Sequence, residues 1–114
     1  MQTEQPILIT TVTATADLSA SKNLFIGIVS GTICGNGAKA LGVLNANTDN
    51  TEEAPVVAQG IAIVYSGAAV TAGDKLQSNA AGKAITYSSG AANGYALDAA
   101  TGADELIRVL LCGV

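Results

Sequence analysis

Glycine and other turn-forming residues cut the apolar residues of this chain into short runs, and no segment sustains a helical repeat. Residues 60–82, GIAIVYSGAAVTAGDKLQSNAAG, show this most clearly. Ile61, Ile63, Val64 and Tyr65 form an apolar run that breaks at Ser66-Gly67. The pattern restarts after Ala72-Gly73-Asp74 and breaks again at Ala81-Gly82. Short apolar runs bounded by Gly, Asp and Asn read as strands joined by tight turns. Gly73, Gly82, Gly90 and Gly102 recur eight to twelve residues apart, the spacing of strands in a sandwich or barrel. The chain is all-β.

The same reading lays out the remaining strands. Residues 7–16, rich in Thr, Val and Ile, form an extended strand or arm, and residues 24–29 a continuous apolar run buried on both faces. The Asn36-Gly37 pair is a tight-turn signal, after which residues 39–46 resume as strand. Residues 47–54 are polar and acidic and end at Pro55, as an exposed loop would. Residues 56–65 make the longest central strand, bent at Gly60. Residues 75–78 and 83–87 pair as a hairpin, and residues 95–99 and 106–112 as a final pair. In that last strand Ile107, Val109 and Leu111 share the core face, while residues 101–105 are expected to form one helical turn. The division is an arm or first strand over residues 1–22 and one β-barrel-like domain over residues 23–114.

With 114 residues, one domain has enough chain for a core. That core is thin, because the 49% of hydrophobic residues include one Phe, three Tyr and no Trp. Small side chains each remove little surface from water, at roughly 25 cal/mol per Å². Burial against other subunits or a larger partner supplements such a core.

Charge and chemistry narrow the function further. Charged residues are 12% of the chain, with a net charge of −4, and the five basic residues stand singly. Phosphate binding needs them clustered, so no nucleic acid is expected. No apolar stretch approaches the ~20 residues that cross a bilayer, and no membrane partner is expected. The N-terminus lacks a signal-peptide pattern, which predicts synthesis in a cytosol and reduced, unpaired Cys34 and Cys112.

The absence of His removes the commonest general base and zinc ligand. No Gly-x-Ser-x-Gly elbow or P-loop is present. Asp49, Glu52, Glu53, Asp104 and Glu105 read as solvated turn charges rather than a carboxylate pair or calcium loop. The expectation is no enzyme, no cofactor and no metal.

Residues 60–85, with Ser66-Gly67-Ala68-Ala69-Val70-Thr71-Ala72-Gly73-Asp74 and then Gly82-Lys83-Ala84, resemble the small capsid decoration, or cement, proteins of tailed bacteriophages. So does the ending: Gly94-Tyr95-Ala96-Leu97-Asp98-Ala99-Ala100, an acidic turn, then Leu106-Ile107-Arg108-Val109-Leu110-Leu111. The likeness covers the chain from Leu41 onward. It implies a compact β-barrel or β-tulip protein on the outside of the virion. It also implies a homotrimer that bridges major capsid protein subunits and stabilises the head against packaged DNA.

The residues themselves add a candidate contact. Ile7, Leu8, Ile9, Thr10, Thr11 and Val12 suit strand addition to a partner's sheet, or are simply the first strand of the barrel. Two other readings share the composition. One is a different virion component, such as a head-fibre base or tail protein. The other is a glycan-binding β-module using Tyr65, Tyr87 and Tyr95.

Overall fold

The computed structural model describes residues 4–28 and 30–111. Cys112 lies outside them, and with it the expected state of the two thiols. Eight strands form one antiparallel sheet: β1 (Gln5–Thr13), β2 (Phe25–Gly27), β3 (Ala40–Leu44), β4 (Glu53–Tyr65), β5 (Lys75–Ser78), β6 (Ala84–Thr86), β7 (Gly94–Ala96) and β8 (Leu106–Leu111). Their order is β2-β3-β4-β8-β7-β5-β6, with β1 paired to β4 off this path. The two ends of the path nearly meet. Phe25 N–H donates to the Gly82 carbonyl at 2.7 Å, and Ser66 at the end of β4 bridges Ala84 of β6. The sheet is thereby almost closed into a barrel, the all-β class that the turn spacing predicts.

β4 organises the rest. One edge carries β1 from Gln5 opposite Ile61 to Thr13 opposite Glu53. A strand has two edges, so the other must carry both β3, at Val56 and Val57, and β8, from Gly60 to Tyr65. The change of neighbour falls where β4 bends. Gly60 has a φ of +101°, and a Cβ there would lie 2.5 Å from the Gln5 carbonyl oxygen and 2.6 Å from the Ile7 nitrogen. A side chain would meet both strain and backbone. β3 approaches as closely at Gly42, where a Cβ would sit 1.9 Å from the Val57 carbonyl oxygen.

Two apolar clusters fill the two faces of β2, β3 and β4. Phe25, Val43 and Val57 point into the barrel with Leu76, Ile107 and Val109. Their chain neighbours Ile26, Leu44 and Val56 point the other way, onto Ala14, Leu18 and Ala54. Alternation in a strand sends consecutive residues to opposite faces, so burial of both requires a second cover. The segment after β1 supplies it, with Leu18 1% exposed and bridged to Thr48.

Buried amides join the loops to this frame. Gln77 Oε1 accepts from the Ser88 and Ser89 N–H groups at 2.7 and 3.1 Å. Asn93 Oδ1 accepts from Ala40 N–H at 3.0 Å, and its Nδ2 donates to the Ala38 carbonyl. No buried side-chain polar atom lacks a partner among the described residues.

Four local expectations change. The apolar run at residues 24–29 is strand only to Gly27, and Ile28 is 51% exposed. β4 starts at Glu53 and runs through Pro55, whose carbonyl accepts from Asn45 N–H, so Ala54 is buried rather than in a loop. The final pair is shorter, because Leu97 and Asp98 leave β7. Residues 101–105 form an irregular turn in place of a helical one. Asp104 has a φ of 64°, and Ser66 holds the segment, donating to the Gly102 carbonyl at 2.7 Å and accepting from Glu105 N–H at 3.1 Å. The hydroxyl and N–H of Thr101 bind the Glu105 carboxylate and hold its pKa below the ordinary glutamate value.

Gly60→Ala should destabilise the fold by about 1–3 kcal/mol through strain alone, with added cost from the β1 clash, read as a lower urea midpoint. An unchanged midpoint would show that β1 is not held against the bend. For pH, a carboxylate whose folded pKa is depressed stabilises the fold above its unfolded value, about 4.3, and that stabilisation fades as pH falls through the folded value. Thermal melts should therefore drop faster on acidification in the wild type than in Glu105→Gln. Parallel pH profiles would contradict the Thr101–Glu105 clasp.

Candidate interaction surface

Seven large apolar side chains are exposed among the described residues, six of them in two places and Ile28 in a groove beside the first. The first is β1. Ile7 is 81% exposed, Leu8 48% and Ile9 45%, whereas Thr10 and Val12 are half-buried and Thr11 is exposed. Among the described residues β4 is the one strand paired with β1, and no described strand pairs with its other edge. The two ends of the strand differ. At the inner end, Val12 packs on the second cluster, Thr13 Oγ1 donates to Glu53 Oε1 at 2.6 Å and Ala14 N–H donates to the Glu52 carbonyl. At the outer end the register is disturbed at Leu8, opposite Gln59, and resumes at Ile9 opposite Val57. The six candidate residues, Ile7 to Val12, thus lie on β1, whose inner end is anchored and whose outer end is apolar and exposed.

Beside that bare end lies a groove of about 290 Å³. It opens where β3 leaves β4 after Val57 and β8 has not yet joined at Gly60. Ala58 and Gln59 lie in that gap, and Leu8, Ile28, Leu41, Lys39 and Leu111 line the walls. Sequence reading assigned none of these a contact role except Leu8. Ile28 sits in an apolar run that reads as buried strand, and Lys39 is a lone cation. The groove comes from a change of strand partner, which leaves no local signal.

The second exposed place is the outer face of β8 and β7. Leu110 lies between Ile61 and Tyr95 in register, and Leu106 lies opposite Tyr65. Arg108 crosses the middle of this face, its Nε and Nη2 donating to the two Asp98 carboxylate oxygens at 3.0 Å each. That bidentate pair raises the Arg108 pKa and keeps the guanidinium charged.

The three tyrosines are only partly gathered. Lys75 lies opposite Tyr95, with its ammonium 4.7 Å from the centre of the Tyr87 ring, a cation–π contact. Tyr65 sits in a separate row.

The described residues hold no group of three His, Cys, Asp or Glu side chains placed for a metal ion. Cys34 is buried, and desolvation pushes its thiol pKa up, away from the reactive thiolate. Among the described residues there is no helix long and apolar enough to cross a membrane.

Comparison with known proteins places this geometry. No curated protein matches the sequence. Among solved structures, the fold is similar to the head fibre gp8.5 N base of bacteriophage phi29, with a TM-score of 0.73 over 92% of this chain and 95% of that one. Sequence identity is 16%, so the likeness is one of fold. The phage cement protein family matches residues 1–111, strands β1 to β8 included, and the chain belongs to that family.

Proposed function

We propose that this protein binds the outer surface of a phage head as a homotrimer. There it bridges neighbouring major capsid protein subunits and holds the shell against the pressure of packaged DNA. It does so by contact and without catalysis, after synthesis in the host cytoplasm. Membership of the cement family supports a head structural role. The single structural observation that carries the reading is the free edge of β1, with Ile7, Leu8, Ile9, Thr10, Thr11 and Val12 on it. An unpaired strand edge with exposed aliphatic side chains recruits another chain by strand addition, with backbone hydrogen bonds for affinity and side-chain pockets for specificity. Several modest contacts made together on one shell gain from high effective concentration, so a small chain can hold firmly.

A second reading has one specific observation in its favour. The phi29 head-fibre base shares the fold, and the same barrel can therefore seat a fibre. Labelled protein imaged on virions separates the two readings, since decoration gives an even lattice and a fibre base gives discrete projections.

Purified protein added to heads that lack it should sediment with them and raise their melting temperature. Protein left in the supernatant, with the melting temperature of the heads unchanged, would refute capsid binding.

A further inference from the structure

The outer end of β1 and the groove beside it have complementary shapes and charges. Residues 4–9 read Glu-Gln-Pro-Ile-Leu-Ile, and Glu4 is the one charged residue from there to Thr13. The groove wall is mostly aliphatic, and Lys39 is the one charged residue among the described residues that line it. Lys39 also lines the shallower hollow that continues past Ile28 and Ile33. Ile7 stands 81% exposed next to the groove without lining it. At about 290 Å³ the space far exceeds the ~30 Å³ share of one water.

We propose that these are the two halves of one contact between copies of this chain. The outer end of β1 from one copy seats in the groove of a second, Ile7 enters the apolar lining, and Glu4 meets Lys39. Lys39 Nζ already donates to the Ala92 carbonyl at 3.2 Å. An ammonium has three donors, so a carboxylate can be added without breaking that bond. A second copy is also the partner present from synthesis onward, before any shell exists. An exposed apolar edge is an aggregation hazard until covered, and self-association covers it at once. The protruding side chain and the groove lie side by side, so this patch is complementary to the same patch on a second copy. This inference rests on the contact role given to β1 and narrows it, leaving the edge at Thr10, Thr11 and Val12 for the capsid.

The test is the solution mass of the full chain, without heads, by sedimentation equilibrium at micromolar concentration. The wild type should be oligomeric. Ile7→Asp, at a position exposed in the single chain, should give one chain's mass and a melting temperature that no longer depends on protein concentration. Lys39→Glu should raise the dissociation constant several-fold, and Glu4→Lys combined with Lys39→Glu should restore it. A monomeric wild type, an oligomer that survives Ile7→Asp, or a charge swap without rescue overturns the proposal. Head binding is read separately by co-sedimentation. A monomer that still binds heads overturns this contact and spares the capsid reading. An oligomer that ignores heads does the reverse.

Discussion

Everything in this fold hangs on the bend of β4 at Gly60. A straight strand of thirteen residues would carry one neighbour along each edge and make a flat sheet. The turn at Gly60 lets one edge hold β3 and then β8, which curls the sheet toward closure. The other edge holds β1 across the bend, close enough that a single Cβ would collide with it. Closure, the close passage of β1 across the bend and the groove between β3 and β8 therefore meet at one backbone conformation. A bent strand that changes partners also exposes backbone and apolar surface, and this chain does so at the outer end of β1.

Much of the barrel was legible because its turns are written in residue types with local physical meaning. Asn79 Oδ1 accepts from the Ala81 and Lys83 N–H groups and closes the hairpin between β5 and β6. Asp74 accepts from Thr71 N–H in its turn. The inward set Ile107, Val109 and Leu111 follows from period-two alternation, and all three are buried. Where the reading failed, tertiary contacts outweighed local signals. Pro55 is a loop marker by composition, yet strands on both sides of β4 hold it in the sheet. Residues 101–105 have helix-compatible side chains, yet the buried hydroxyl of Ser66 fixes them as a turn.

The candidate surface was half legible. Ile7, Leu8 and Ile9 stand out in sequence because an apolar run beside Pro6 suits an edge strand. Nothing local marks Ile28, Leu41, Gln59 and Lys39 as neighbours of that edge. Their convergence depends on which strand lies beside β4 at each step, and pairing between distant strands is not encoded in any short window. The fold likeness to a head-fibre base at 16% identity is consistent with this. The frame persists while most of the side chains on it differ.

The central claim is that this protein works through the free edge of β1 rather than through a loop or a pocket chemistry. Backbone hydrogen exchange, followed by mass spectrometry on protein free in solution and on protein bound to phage heads, tests it most directly. The account predicts that amides of β1 exchange quickly in dilute free protein and slow markedly on the head, while β5 and β6 change little. Equal exchange in β1 in both states, with new protection confined to the loops at the opposite end of the barrel, would contradict it.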